Sequence, residues 1–283
     1  MGFIAIIGAG ALGAAIAHKL AGRDRVAEVR LVDPEGRIAE GIALDIQQSS
    51  PIEAFSCRVT GATSFKAAVG ADVIVLADAA ASGGEYSGEP GLALVRDLAR
   101  AGSTAPIVCA GAAQRELIAK AVAELRQPRA RVIGSAPAAL ESALRAIAGL
   151  MLDGSGVEVC LRVVGVPPRA AVVAWEEATV AGQPLSSYLP PHVIAALNGR
   201  IPGLWPPGPY ALGSAAVRVI EALAHGSRRR YSCFVALERG ALRDAVAAMP
   251  VTLGPEGITR VVEPTLTRQE QTMLENAIEK AAR

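Results

Sequence analysis

The stretch FIAIIGAGALG, residues 3–13, decides the fold of this chain. Its first five residues are all apolar, which is typical of a short strand buried on both faces. The glycine-rich segment that follows leads directly into residues 14–21, which are rich in helix-forming alanine. The stretch therefore predicts a strand, a tight turn and a helix in immediate succession.

A second strand and an acidic residue complete the pattern. Residues 29–32 predict a strand that ends on Asp33, twenty residues after Gly13. A strand, a GxGxxG turn, a helix and a second strand with a terminal acid form the dinucleotide-binding βαβ unit. In that unit Gly8 is predicted to permit the tight turn. Gly10 would let the backbone approach a pyrophosphate, and Gly13 would let the helix pack closely on the strand.

The ligand that this pattern predicts is NAD. The pyrophosphate would bind beside Gly10, Ala11 and Leu12, where unpaired N–H groups and the helix dipole favour an anion. Asp33 would accept hydrogen bonds from the ribose hydroxyls, and its charge would repel a 2′-phosphate, which favours NAD over NADP. The alternative is a glycine-rich turn of the same shape that has no ligand.

Composition narrows the classes of partner. A chain of 283 residues suits one large or two medium domains, and a net charge of +1 gives no electrostatic basis for binding nucleic acid or an acidic membrane. No apolar stretch approaches the length of a transmembrane helix, and the N-terminus has no basic leader. The sequence therefore predicts a cytoplasmic protein.

The cysteines and histidines do not form a metal-binding pattern. The four cysteines are far apart in the sequence, and none of the three histidines lies near one of them. Cys109 and Cys160 lie in apolar, strand-like runs. We therefore expect buried, reduced thiols rather than metal ligands or disulfides.

The first half of the chain alternates strands with helices. Strands are predicted at 72–77, 106–110 and 131–133, and helices at 37–47, 92–101 and 117–125. This alternation predicts a Rossmann-type, doubly wound parallel sheet over residues 1–135. The segment GGEYSGEPG, residues 83–91, has no periodicity and is predicted to be a flexible loop.

The second half, residues 136–283, is predicted to be a mixed α+β domain. A long helix over 140–151 is followed by strand-like runs at 157–164, 171–175, 233–237 and 250–253. Strands 251–253 and 258–262 are predicted to form an antiparallel hairpin. The prolines from Pro190 to Pro209 are expected to replace regular helix. Residues 228–230, three arginines, are read as a solvated turn rather than an anion site. Thr267 and Glu270 form a capping box that opens the final helix.

Along most of its length the chain resembles the NAD-dependent malate and lactate dehydrogenases. The similar segments occur in family order: residues 8–13, 31–33, 36–51, 131–134, 140–143, 179–185 and 249–257. The resemblance implies a nicotinamide-dependent oxidoreductase of 2-hydroxy acids. It also implies a homodimer or homotetramer.

The catalytic groups that the resemblance implies do not stand at their expected positions. The family uses a histidine, oriented by an aspartate, to exchange a proton with the substrate, and an arginine to bind the substrate carboxylate. Here the histidine position is Pro167, the aspartate position is Glu141 and the arginine position is Leu144. Glu141 and Arg145, four residues apart, are read as an exposed ion pair on the helix surface.

The remaining family positions also differ. The family's mobile loop carries arginines, but residues 83–91 hold Glu85 and Glu89 and no arginine. The expected asparagine falls within residues 110–112, Ala-Gly-Ala. None of the three histidines is a convincing replacement, so no catalytic residue is assigned.

Two functions are compatible with this sequence. The first is a family member with a degenerate active site, which binds NAD(H) without ordinary malate or lactate dehydrogenase activity. The alternative is an active NAD-dependent oxidoreductase on a neutral or cationic substrate. It would use groups outside the family set, such as Glu85, Tyr86 and Glu89 of the loop.

Overall fold

The protein is described by a computed structural model that covers residues 2–238 and 245–281. Within these residues the strands are β1 (Phe3–Ile7), β2 (Glu28–Val32), β3 (Arg58–Ala62), β4 (Val73–Leu76), β5 (Ile107–Cys109), β6 (Val132–Gly134), β7 (Val159–Cys160), β8 (Val163–Val166), β9 (Ala170–Val173), β10 (Thr179–Val180), β11 (Gln183–Pro184), β12 (Ser227–Ala236), β13 (Val246–Gly254) and β14 (Gly257–Val261). The α-helices are α1 (Ala11–Arg23), α2 (Gly36–Glu53), α3 (Gly88–Arg100), α4 (Arg115–Ala123), α5 (Ala136–Met151), α6 (Pro191–Arg200), α7 (Pro209–His225) and α8 (Arg268–Ala281).

The first six strands form a parallel sheet in the order β3-β2-β1-β4-β5-β6. Strand β1 lies within this sheet, where Ile4 and Ile6 on one face and Ala5 on the other are fully buried, because helices cover both faces of the sheet. The strand order reverses between β1 and β4, and the doubly wound fold is confirmed. In such sheets the loops at the carboxyl ends of the strands beside the reversal line a ligand crevice.

The same sheet continues into the second half of the chain. Strand β12 pairs antiparallel with β6 through Phe234 and Gly134, and the sheet then extends through β13, β8 and β9. Strand β14 folds back on β13 with Gly254 opposite Gly257, so the predicted hairpin is confirmed. A small second sheet contains β11, β10 and β7.

Three predictions about local structure were wrong. Helix α3 begins at Gly88, so only residues up to Ser87 form the loop that was predicted over 83–91. Prolines 190–209 replace helix only in part. Helices α6 and α7 each have a proline in the first turn, where the missing N–H costs nothing, whereas Pro202, Pro206 and Pro207 lie in the segment without α-helix between them. The arginines at 228–230 lie in strand β12 rather than in a turn, although they are exposed.

The thiols also differ from expectation at one position. Cys57, Cys109 and Cys233 are buried, but Cys160 is exposed because β7 is a two-residue strand at the edge of the small sheet. Burial raises the pKa of the Cys57 thiol to about 11 and that of Cys109 to about 12. Both are therefore protonated at neutral pH.

The capping box of the final helix is confirmed. Thr267 N donates to Glu270 Oε2 at 2.8 Å, and Glu270 N donates to Thr267 Oγ1 at 3.2 Å. Among the helices within residues 2–238 and 245–281, none combines the length and the apolar character needed to cross a bilayer.

Candidate functional site

The turn between β1 and α1 packs against the loop that follows β4, as the reversal of strand order requires. Gly8 has a φ of +110°, a left-handed conformation that glycine adopts without strain. Gly10 N donates to the carbonyl oxygen of Asp78 at 2.9 Å. A Cβ at Gly13 would overlap the carbonyl of Gly8, so helix and turn approach as closely as backbone allows.

The N-terminus of α1 holds a carboxylate from the chain itself. Asp78 Oδ2 accepts a hydrogen bond from Leu12 N at 3.0 Å, and its Oδ1 accepts one from Gly13 N at 2.9 Å. The side chain is buried, and a Cβ at Gly10 would overlap its carboxylate. The glycine predicted to admit a pyrophosphate therefore makes room for Asp78, while the neighbouring Ala11 is exposed.

Asp33 ends strand β2 as predicted, but only 1% of it is exposed. Its Oδ2 accepts hydrogen bonds from Ala9 N and Ala80 N, both at 2.9 Å, and its Oδ1 accepts one from Glu35 N at 2.9 Å. The carboxylate thus ties the end of β2 to the two loops on either side of the crevice. A ribose would have to share this carboxylate with three backbone N–H groups.

Beside Asp33 lies a small, mainly apolar cavity of about 190 Å³, next to helix α3. Its lining includes Pro34, Thr63, Phe65 and Tyr86. Burial raises the pKa of Tyr86 to about 12, and the charges of Asp33 and Asp78 add to the effect. A cavity with this lining suits a flat aromatic ring such as a nucleobase.

The loop between β4 and α3 is held in place by Glu85. Its Oε1 accepts a hydrogen bond from Ala112 N at 2.8 Å, and its Oε2 accepts one from Ala113 N at 2.7 Å. Ala112 lies in the segment, residues 110–112, in which the family resemblance places an asparagine, and Ala113 follows it. Two backbone N–H groups thus engage the carboxylate of Glu85, the loop residue that the alternative function would use toward a substrate.

Gln114 joins the same two loops. Gly111 N donates to Gln114 Oε1 at 2.8 Å, and Gln114 Nε2 donates to the carbonyl oxygen of Tyr86 at 2.8 Å. Both Gln114 and Asp78 were missed by the sequence analysis, although each lies within four residues of a predicted strand end. They are buried polar residues, which usually have a specific partner.

Glu141 does not form the predicted surface pair with Arg145. It is 7% exposed; Arg162 Nη1 donates to its Oε1 at 2.9 Å, and Ser232 Oγ donates to its Oε2 at 2.7 Å. Arg145 instead donates to the carbonyl oxygens of Val157 and Val159. Burial raises the pKa of Glu141, and the charge of Arg162 opposes that rise. The prediction was wrong because this face of α5 packs against β12 rather than facing water.

The positions expected to carry the histidine and the arginine are buried. Pro167 follows the end of β8 and has no titratable group. Leu144 is 1% exposed within an apolar cluster that includes Leu140 and Val163. The space around Leu144 therefore offers packing contacts rather than a binding site for a carboxylate.

The three histidines are distributed over other parts of the fold. His18 Nε2 lies 3.1 Å from Glu53 Oε1 on the surface, and His192 is exposed in the first turn of α6. His225 ends α7, where a cation would complement the helix dipole.

Similarity to known proteins agrees with this architecture. Residues 3–95 match the family model described as lactate/malate dehydrogenase, NAD binding domain. A malate dehydrogenase of Chloroherpeton thalassium is 30% identical over 291 residues, which cover 96% of this chain and 94% of that protein. The chain belongs to the malate/lactate dehydrogenase family. The predicted family and its NAD-binding domain are thereby confirmed.

Further members of the malate/lactate dehydrogenase family are similar over nearly the whole chain. A malate dehydrogenase of Roseiflexus sp. is 27% identical over 98% of this chain and 95% of that protein. The solved malate dehydrogenase of Salinibacter ruber superposes with a TM-score of 0.86 at 24% identity, covering 99% of this chain and 95% of that one. The lactate dehydrogenase of Cryptosporidium parvum, complexed with lactic acid and NAD, has a TM-score of 0.85 at 20% identity and the same coverage. These structures share the fold.

Proposed function

We propose that this family member binds NAD(H) without ordinary malate or lactate dehydrogenase activity. The proposal is supported by the residues that occupy the expected catalytic positions in the substrate half of the site. Pro167 stands where the family resemblance places the proton carrier, and Leu144, within an apolar cluster, stands where it places the carboxylate-binding arginine. Glu141, which would orient a histidine, is bonded to Arg162 and Ser232 instead. Loss of one such group commonly lowers the rate by orders of magnitude.

The cofactor half supports binding of the dinucleotide. The diphosphate would lie against the glycine-rich turn, formed by Gly8, Gly10, Ala11, Leu12 and Gly13. Asp33 would face the ribose, and the cavity at Pro34 and Tyr86 would take the adenine. When bound, NAD supplies the group that accepts or donates a hydride. The backbone fits this ligand in shape, but Asp78 must leave the N-terminus of α1 before a diphosphate can occupy it.

The second candidate is an active dehydrogenase for a different substrate. The curated relatives are named malate dehydrogenases, so the family chemistry is the reference for any activity. In this chain the loop residue expected to serve a cationic substrate, Glu85, is bonded to Ala112 and Ala113. Arg169, exposed two residues after Pro167, remains as a group that would attract an anion.

We propose in addition that the protein assembles in the cytoplasm as a homodimer or homotetramer. Helix α2 exposes Ile38, Leu44 and Ile52, with exposed fractions of 44%, 58% and 88%. Exposed apolar side chains on one helix provide surface that a contact with another chain would cover. Sedimentation velocity tests this against the 29.0 kDa mass of a monomer.

The proposed function predicts binding without turnover. On titration with NADH we expect the cofactor fluorescence to change and saturate, because the nucleobase cavity and the turn after β1 are present. With oxaloacetate or pyruvate added, we expect no oxidation of NADH above the rate of a buffer control. Steady oxidation of NADH with either acid would show that other residues complete the reaction, and the proposal would be withdrawn.

Restoring the histidine alone is expected to give no activity. In Pro167→His the imidazole would stand at the family position, but Leu144 offers no cation to bind a substrate carboxylate and Arg162 already pairs with Glu141. The measurement is the rate of NADH oxidation with oxaloacetate, compared with the unmodified protein. Robust turnover in this single variant would mean that the position of the histidine has been misassigned.

A further inference from the structure

We propose that Asp78 is an internal competitor of the diphosphate and thereby determines which ligands the nucleotide crevice binds. This inference rests on the proposed function, since it concerns the same crevice. It assigns a specificity-determining role to a residue that lies outside the glycine-rich turn. Ligands with a diphosphate would be disfavoured, and those that need only the nucleobase cavity would be unaffected.

The backbone N–H donors that a diphosphate would use are already engaged. Leu12 N and Gly13 N point out of the first turn of α1, where a helix has N–H groups without intrahelical partners. Both donate to the two carboxylate oxygens of Asp78, at 3.0 and 2.9 Å. A diphosphate bound at this helix end draws on the same donors. Because Asp78 is only 6% exposed, its carboxylate and a phosphate cannot occupy the place together.

The charges around the turn also oppose a diphosphate. Asp33 and Asp78 both direct carboxylates at the turn between β1 and α1, so an incoming diphosphate meets two negative charges in a largely buried crevice. The first turn of α1 has no charged residue of its own to offset them. The helix dipole, which is equivalent to about half a positive charge, balances at most one anion. Repulsion between like charges is stronger where water is scarce.

Hydrogen bonds hold the backbone of Asp78 in place. Its carbonyl oxygen accepts from Gly10 N, Ala77 N donates to the Ile7 carbonyl, and the residue pairs with Glu85 in an isolated β-bridge. Glu85 is in turn bonded to two backbone N–H groups on the loop after β5. The carboxylate can therefore leave only by rotation of its own side chain. Competition with the diphosphate then depends on the side chain of Asp78 alone, and a single substitution can test it.

The test compares NADH, ADP-ribose and adenosine as ligands of the unmodified protein and of Asp78→Asn, by isothermal titration calorimetry. The amide keeps the shape of the side chain and removes its charge. We expect affinity for NADH and for ADP-ribose to rise at least tenfold in Asp78→Asn, and affinity for adenosine to change less than twofold. Asp78→Ser, which is smaller and retains one oxygen, should show the same pattern even if the asparagine variant folds poorly.

The matched control is Glu279→Gln, which removes one negative charge from the exposed face of α8. It should change none of the three affinities. Equal affinities for NADH in the unmodified protein and both Asp78 variants would overturn the inference and leave the proposed function standing. No binding of NADH by any of these proteins would overturn both. A parallel rise for adenosine would show a general loosening of the crevice and would also overturn the inference.

Discussion

Replacing Arg162 by methionine is expected to lower the free energy of unfolding by about 3–5 kcal/mol at pH 7, because it leaves a buried carboxylate without its cation. Glu141 is 7% exposed, and Arg162 is the charged side chain that donates to it. The methionine keeps much of the volume of the arginine stem, so the loss reports the charge rather than a cavity. Urea unfolding followed by circular dichroism measures it.

The loss in Arg162→Met should depend on pH in a definite direction. Burial raises the pKa of Glu141 in the folded protein, so the folded state binds this proton more tightly than the unfolded state. The contribution of Glu141 to the free energy of unfolding is therefore largest below the ordinary glutamate pKa, and it falls as the pH rises toward the raised pKa of the folded state. Because the charge of Arg162 opposes the rise in the pKa of Glu141, its removal widens the pH interval over which this stability is lost. The destabilisation should be smallest at pH 4 or below, which is an estimate from the ordinary pKa of about 4.3.

Two variants control this result. Arg96→Met removes an arginine whose partner, Glu89, has a side chain that is 71% exposed, and should cost less than about 1 kcal/mol. Adding Glu141→Gln to Arg162→Met should recover part of the stability, because no isolated charge then remains buried. A loss below about 1 kcal/mol in Arg162→Met would mean that water reaches Glu141.

Gly13→Ala is expected to destabilise the protein by about 3 kcal/mol, toward the upper end of the usual cost of overpacking, and to abolish NADH binding. The added Cβ would overlap the carbonyl oxygen and carbon of Gly8, which are backbone atoms and cannot rotate away. Helix α1 must then separate from the turn after β1, and the N–H groups of Leu12 and Gly13 move with it. Thermal unfolding and NADH titration measure the two effects.

Gly41→Ala is the matched control for this substitution. Gly41 also lies in a helix, α2, but a Cβ there has no neighbouring atom within 4 Å. Removing a glycine from an exposed helix interior should raise the free energy of unfolding by about 0.5–1 kcal/mol. Equal behaviour of the two variants would contradict the close approach at Gly13.

Much of the fold could be predicted because its signals are local. The apolar run at residues 3–7, the glycine turn and the alternation of later elements each depend on neighbours in the sequence. The capping box at Thr267 and Glu270 is of the same kind. The prediction for the proline-rich region was wrong at α6 and α7, because a proline is compatible both with a loop and with the first turn of a helix. Only packing decides between the two.

The site was harder to predict because its decisive contacts are long-range. Asp78 lies 65 residues from Gly13 in sequence, and Ser232 lies 91 residues from Glu141. The spacing of Glu141 and Arg145 suggested a local pair, but Glu141 is buried and bonded to Arg162 and to Ser232 of β12, because an isolated charge in the interior is costly. One signal was available: the strand-order rule places the residue after β4 beside the glycine turn, which points to Asp78.

The pairing of β6 with β12 limits how the crevice can open. Since one continuous sheet runs through both halves of the chain, the halves share hydrogen bonds at Gly134 and Phe234 instead of meeting across a linker. A rotation of one half relative to the other would break the pairing of β6 with β12. Access to the crevice is therefore expected to be governed by individual side chains on a rigid frame, and ligand binding should leave the relative orientation of the halves unchanged.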